Sequence, residues 1–66
     1  MVADNVKNYL KEKGIKISFI AEQIDVPYAT VNLMLNGKRR LTADVFSKIC
    51  KVLEVSMDKF ATEKTA

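Results

Sequence analysis

The sequence predicts an all-α domain of five short helices. Apolar residues recur at intervals of three and four along most of the chain, which is the spacing of one helical face. Residues that begin or end helices separate these periodic runs, and no stretch alternates apolar and polar residues as a strand would. The chain has 66 residues, of which 48% are hydrophobic. We therefore expect one small domain over residues 4–60, followed by a frayed polar tail over residues 61–66.

The first helix is predicted from Asp4 to Lys13. Asp4 or Asn5 can serve as its N-cap by accepting a hydrogen bond from a free backbone amide of the first turn. The apolar residues of this segment share one face: Val6, Tyr9 and Leu10. Gly14 is expected to end the helix because glycine adopts the left-handed conformation without steric cost.

Two further helices are predicted on either side of a tight turn. The second spans Ile17 to Ile24, and the third, which begins after Pro27, spans Tyr28 to Leu35. Pro27 separates them because it has no amide hydrogen and disfavours helix at the preceding residue. Lys16 is a poor N-cap for the second helix, so Ser18 is a substitute one or two residues later. The residues of the third helix that we expect to face the core are Val31, Met34 and Leu35.

A basic run follows the third helix directly after Asn36-Gly37, which should stop that helix. The run consists of Lys38, Arg39 and Arg40. The net charge of +3 is compatible with binding to a polyanion such as DNA but does not by itself indicate it, since many small basic domains bind no polyanion. Two short helices, a tight turn and this basic cluster together are typical of a helix-turn-helix that reads DNA.

The last two helices complete the predicted core. Thr42 is a good N-cap for the fourth helix, which should end at Val55. Its apolar stripe comprises Val45, Phe46, Ile49, Cys50, Val52 and Leu53. A short fifth helix is predicted over Ser56 to Phe60, with Ser56 as its cap and with Met57 and Phe60 facing inward.

Several functional classes are disfavoured by composition. The chain has one cysteine and no histidine, so a Cys/His zinc site within one chain is excluded, and we expect Cys50 to be a buried apolar residue. We expect no metal, no cofactor and no small-molecule ligand. An enzyme is disfavoured because there is no glycine-rich phosphate loop or convincing acid pair. The N-terminus does not resemble a signal peptide and no apolar run could span a membrane, so we expect a cytoplasmic location.

A set of short motifs occurs in a characteristic order along the chain. They are Gly14-Ile15, Ile20-Ala21-Glu22-Gln23-Ile24, Thr30-Val31, Asn36-Gly37-Lys38 and Leu53-Glu54-Val55-Ser56-Met57-Asp58. In this order and spacing, from Val6 to Phe60, the chain resembles the Cro/phage-repressor family of helix-turn-helix proteins (xenobiotic-response-element type). The resemblance implies a lambda-repressor-like, five-helix DNA-binding domain.

The chain departs from the family pattern at several positions. Ile17 stands where the family usually has Gln or Ser to contact phosphate, and Asp25 stands where it has a turn glycine. Pro27 replaces the usual polar cap of the third helix. Leu10 and Leu35 replace an Arg–Glu pair found in many relatives, so we predict that these two leucines pack together.

The resemblance implies which side chains meet DNA, because the third helix of this family lies in the major groove. The expected base contacts are Pro27, Tyr28, Ala29, Asn32 and Leu33. The expected contacts to the DNA backbone are Ser18, Thr30, Asn36, Gly37, Lys38, Arg39 and Arg40. Asn32 is the best direct reader, since an amide can pair with N6 and N7 of adenine. Each of Asn32 and Thr30 can also be read as an ordinary helix residue.

One helix reads about half a turn of duplex, so we expect a homodimer on a pseudo-palindromic operator. The candidate dimer residues are Val52, Val55 and Met57. The alternative is that these side chains are buried in the core of one chain. The preferred function is a transcriptional repressor, encoded by a phage or a bacterium. The alternative is a protein–protein interaction module, such as an antitoxin-type partner, and the apolar residues Ile17 and Leu33 favour it.

Overall fold

The computed structural model describes residues 2–61, and these residues form five helices in chain order. The helices are α1 (Val2–Lys13), α2 (Ile17–Ile24), α3 (Tyr28–Leu35), α4 (Ala43–Leu53) and α5 (Asp58–Ala61). The all-α prediction and the number of helices are therefore confirmed. Of the predicted tail, Ala61 belongs to α5, and residues 62–66 lie outside the described part of the chain.

Helix α1 begins two residues earlier than its capping pattern suggested, at Val2. Asp4 and Asn5 are therefore inside the helix and neither is its N-cap, which corrects the prediction. Asp4 still lies in the first turn, where a negative charge is favourable to the helix dipole. The predicted stop at Gly14 is confirmed: its φ is +70°, and the Ile15 amide donates to the Leu10 carbonyl oxygen at 2.8 Å.

Helices α2 and α3 have the predicted bounds and are joined by a left-handed turn. Asp25 has φ 58° and ψ 44°, and the next amide, that of Val26, donates to the Ala21 carbonyl oxygen at 3.1 Å. Neither helix has a side-chain cap, because Lys16 and Pro27 occupy the N-cap positions. Ser18 lies inside α2, so it does not replace the missing cap.

Helix α4 starts as predicted and ends earlier than predicted. The Thr42 hydroxyl accepts a hydrogen bond from the Val45 amide at 3.2 Å, which confirms the N-cap. The helix ends at Leu53 rather than Val55, because Glu54 turns into the left-handed region with φ 59°. The Val55 amide then donates back to the Cys50 carbonyl oxygen at 3.1 Å, which closes the helix end.

Helix α5 begins at Asp58, so its N-cap position is Met57 and Ser56 is one residue too early to cap it. Met57 was expected to face inward, yet its side chain is 39% exposed because it precedes the helix. Phe60 is buried as predicted, and its ring meets that of Tyr9 edge-on with 5.4 Å between centroids. The Asn5 side-chain amide also donates to the Phe60 carbonyl oxygen at 2.9 Å, which fastens α5 to α1.

One apolar core holds the helices together. It draws on every helix: Val6, Leu10, Ile20, Ala21, Ile24, Val31, Met34, Leu35, Val45, Phe46, Ile49, Cys50 and Phe60. Leu10 and Leu35 are both buried in it, and α1 contacts α3, which agrees with their predicted pairing. Burial raises the pKa of the Cys50 thiol, so this side chain acts as a small apolar residue. Helix α2 packs on both α3 and α4, and this scaffold fixes the direction in which α3 faces solvent.

Within residues 2–61, no helix is both long enough and apolar enough to cross a membrane.

Candidate nucleic-acid interface

Helix α3 buries one face and presents the opposite face to solvent. Val31, Met34 and Leu35 lie in the core, as predicted. The outward side chains include Tyr28, which is 52% exposed, and Leu33, which is 41% exposed. The remaining predicted base contacts also reach the surface: Pro27 and Ala29 are exposed, and Asn32 is half-buried. The structure therefore leaves all five predicted base-contact residues at least partly accessible, four on α3 and Pro27 directly before it.

Asn32 is tied to the residue one turn further along the chain. The side-chain nitrogen of Asn36 lies 2.8 Å from the Asn32 carbonyl oxygen and 3.0 Å from the Asn32 side-chain oxygen, and it donates to both. The Asn36 side-chain oxygen in turn accepts a hydrogen bond from Nζ of Lys7. Both amide hydrogens of Asn36 are therefore used inside the protein, and a phosphate contact from this side chain requires one of these bonds to be exchanged.

The predicted basic loop is exposed along its whole length, from Asn36 to Arg40. Gly37 has φ +75°, a conformation that glycine adopts without strain. Gly37 and Lys38 are predicted contacts to the DNA backbone, and Gly37 can make such a contact only through its amide. In this structure their amides donate to the carbonyl oxygens of Met34, at 3.2 Å, and Leu33, at 2.9 Å. The charged side chains of the loop, and not these amides, are thus free to bind an anion.

Beneath this loop lies an open groove between the N-terminal parts of α1 and α4 and the C-terminal end of α3. Its floor is apolar, and its residues include Val2, Met34, Leu41 and Phe46. Leu41 is half-buried and packs on the core, so it anchors the end of the basic loop. This anchoring holds Arg39 and Arg40 beside the end of α3.

Helix α2 contributes an exposed aromatic residue that the sequence analysis did not single out. Phe19 is 49% exposed and lines a shallow groove together with Ser18 and Tyr28. The sequence position of Phe19 could have predicted its exposure, because Phe19 lies two residues after Ile17 and off the face formed by the buried residues Ile20 and Ile24. A large aromatic residue away from the core face of a helix is a candidate contact residue.

The other predicted backbone contacts occupy mixed environments. Ser18 is exposed, as a phosphate contact requires. Thr30 is half-buried on α3. Ile17 is half-buried and packs against the core, which explains why an apolar side chain is tolerated where relatives have a polar one.

Charge around this surface is not uniformly positive. Lys38, Arg39 and Arg40 follow α3, whereas Glu22 and Asp25 are exposed near the turn between α2 and α3. Like-charge repulsion with a polyanion would be strongest at these two carboxylates. The arrangement favours an anion at the C-terminal side of α3.

The predicted dimer residues lie elsewhere, on the last part of α4 and the segment before α5. Val52 and Val55 are half-buried and pack against the core, whereas Met57 is exposed. The described chain contains no group of three or more His, Cys, Asp or Glu residues arranged to hold a metal ion.

Comparison with known families identifies the domain to which these helices belong. Residues 5–61 match the Cro/C1-type HTH DNA-binding domain, whereas comparisons with curated proteins and with solved structures find no match. The family match covers most of the chain and coincides with the five helices described above. It also confirms the resemblance inferred from the sequence motifs. The chain therefore belongs to the Cro/C1-type family of helix-turn-helix DNA-binding domains.

Proposed function

We propose that this protein binds double-stranded DNA sequence-specifically and acts as a transcriptional repressor. The observation that carries the proposal is the continuity of the exposed face of α3 with the exposed basic loop from Lys38 to Arg40. In helix-turn-helix proteins the second helix of the motif enters the major groove while the first crosses the DNA backbone. Helix α3 supplies the groove-facing side chains, and the loop supplies the phosphate contacts beside them.

The contacts divide into base reading and backbone positioning. Asn32 is the hydrogen-bonding reader, whereas Tyr28, Ala29 and Leu33 offer apolar contact to thymine methyl groups, with Pro27 at the helix entry. The contacts to the DNA backbone come from Ser18, Thr30 and the charged side chains of Lys38, Arg39 and Arg40, since the Asn36 side chain and the Gly37 amide already have partners within the protein. Because the reading helix holds a single amide and no Arg or Gln, we infer that DNA shape adds to specificity through Arg39 and Arg40.

A dimer on a pseudo-palindromic operator is the assembly that we propose. A single α3 covers about half a turn of duplex, and two copies would place their reading helices about 34 Å apart, or a multiple of that distance. Met57, which is exposed, and the neighbouring Val52 and Val55 form the proposed contact between the two copies. Sedimentation of the wild type and of Met57→Glu would test this contact, and equal association of the two proteins would argue against it.

Repression is favoured over activation because it requires only that the bound protein blocks the promoter. A regulator of this kind acts where the genome is, so we propose the cytoplasm of a bacterium, with the gene carried by the host or by a phage.

A second candidate function is the binding of a protein partner through the same face. The observation that favours it is that α2 and α3 expose three large apolar side chains, Phe19, Tyr28 and Leu33, of which the first two line the same shallow groove. Exposed apolar patches commonly mark interaction surfaces. If this chain is an antitoxin-type protein, its protein partner would bury these residues. The affinity between the two proteins would then change little with salt concentration.

Selection of bound duplexes from a random pool, followed by a salt titration on the selected site, tests the proposed function. If the protein binds phosphates, a plot of the logarithm of affinity against the logarithm of salt concentration should be a straight line. Its slope should be about −0.9 for each phosphate neutralised. Arg40→Ala should weaken binding and reduce this slope by about one unit. Lys51→Ala, which removes an exposed charge from α4, is the matched control and should leave the slope unchanged. Failure to recover any duplex at low salt would reject DNA binding.

A further inference from the structure

A chain of three hydrogen-bonded side chains joins α1 to the reading helix. Lys7 donates from Nζ to the side-chain oxygen of Asn36, which is 29 positions away in the sequence. Asn36 donates from its side-chain nitrogen to the carbonyl and side-chain oxygens of Asn32. Helices α1 and α3 are held against each other by the core, so this relay is supported by a fixed backbone.

The two ends of the relay determine how the Asn36 carboxamide is oriented. A lysine ammonium group has only donors, and a backbone carbonyl oxygen is only an acceptor. Asn36 can satisfy Lys7 and the Asn32 carbonyl together only with its oxygen towards Lys7 and its nitrogen towards Asn32. This pattern resolves the twofold ambiguity that a carboxamide otherwise has.

The orientation of Asn36 in turn sets the orientation of Asn32. The Asn32 oxygen accepts from Asn36, so it is turned along α3 towards its C-terminal end. The Asn32 side-chain nitrogen has no hydrogen-bond partner within residues 2–61, and both of its hydrogens are free. Asn32 therefore presents donors to a ligand, and one lone pair of its oxygen is already occupied.

We propose that Lys7 is a positioning residue that acts through Asn36 to make Asn32 a reader of acceptor-bearing base edges. The proposal rests on the proposed function and adds both a residue and a base preference to it. In the major groove adenine, guanine and thymine offer the acceptors N7, O6 or O4, whereas cytosine offers only its amino donor. The base that faces Asn32 is therefore adenine, guanine or thymine, and cytosine is rejected.

The first test uses the free protein and needs no DNA. Lys7→Met keeps the aliphatic stem of the side chain and removes its donors. Lys11→Met removes the same charge one helical turn further along α1, from an exposed lysine whose side chain has no hydrogen-bond partner within residues 2–61. The side-chain amide resonances of Asn32 and Asn36, measured by NMR, should shift in Lys7→Met and stay in place in Lys11→Met. Unchanged resonances in Lys7→Met would overturn the relay.

The second test measures base preference by selection from random duplexes. The wild type should exclude cytosine at the position whose preference is lost in Asn32→Ala. Lys7→Met should lower the discrimination against cytosine there by about fivefold, the order expected for one misplaced hydrogen bond. Lys7→Arg, which retains donors, should restore it. Lys11→Met should leave the preference unchanged.

The outcomes separate the relay from the proposed function. If Lys7→Met discriminates as the wild type does, or if the wild type prefers cytosine at this position, the inference is wrong while DNA binding stands. If the wild type recovers no duplex, the proposed function and the base preference both fail. Shifted amide resonances in Lys7→Met would even then establish the relay itself.

Discussion

The side-chain nitrogen of Asn36 lies 3.0 Å from the side-chain oxygen of Asn32, so the proposed base reader on α3 is held by the residue that caps the end of its helix. The two residues are four positions apart, the spacing that places side chains one above the other on a helix. This link lowers the freedom that Asn32 would lose on binding, because the side chain is already ordered. Preorganised donors of this kind favour affinity and specificity together.

Replacing Asn32 with alanine should relax base preference at one position of the bound site. The expected loss of discrimination is about 1–3 kcal/mol if Asn32 makes a bidentate contact with its base. Selection from a random pool and competition between single-base variants of the site would measure it. Asn8→Ala, at an exposed position of α1, is the control and should leave the preference unaltered. An Asn32→Ala protein with the wild-type preference would remove Asn32 from the set of readers.

The helices could be predicted from the sequence because their apolar spacing and caps act locally. Thr42, Gly14 and Pro27 have the roles that their backbone chemistry suggested. The relay from Lys7 could not be predicted, since it joins residues that only the packing of α1 on α3 brings together. The left-handed conformation of Glu54 was missed for a different reason. Glutamate has no intrinsic preference for it, and the helix end is set by the hydrogen bond from Val55 to Cys50.

Leu35→Glu should destabilise the fold strongly. Leu35 is fully buried in the core that also holds Leu10, so the new carboxylate would have no cationic partner there. An unpaired buried charge costs about 3–5 kcal/mol, a large part of the stability of so small a domain. Thermal unfolding followed by circular dichroism would show a much lower midpoint, or no cooperative transition.

The matched control for that change is Leu33→Glu, two residues earlier on the exposed face of α3. Its effect on the free energy of unfolding should stay within about 0.5 kcal/mol, as for most surface substitutions. The double variant Leu10→Arg/Leu35→Glu restores the ion pair of many relatives. It should be more stable than Leu35→Glu alone. An unfolding curve of Leu35→Glu that matches the wild type would contradict the pairing of the two leucines.

Asp25→Gly should stabilise the turn between α2 and α3. Asp25 has φ 58°, a left-handed conformation that glycine adopts without the Cβ clash. The relief should exceed the extra backbone entropy of glycine in the unfolded chain, for a net gain of up to about 1 kcal/mol. Urea unfolding would measure it. Asp25→Ala, which keeps a Cβ atom and loses the polar side chain, should be less stable than the wild type, and the reverse order would show that the turn is not strained.

Cys50 should make the fold sensitive to alkaline conditions. Burial raises the pKa of its thiol above the ordinary value of 9.0, so the folded protein retains a proton that the unfolded chain loses as pH rises through that value. The unfolded state then binds fewer protons, and stability falls with increasing pH. Below the ordinary pKa both states are protonated and the contribution vanishes. The free energy of unfolding of the wild type should therefore fall more steeply above pH 9.0 than that of Cys50→Ala, in which the other titrating groups are unchanged. Parallel pH profiles for the two proteins would mean that the thiol ionises as readily in the folded chain as in the unfolded one.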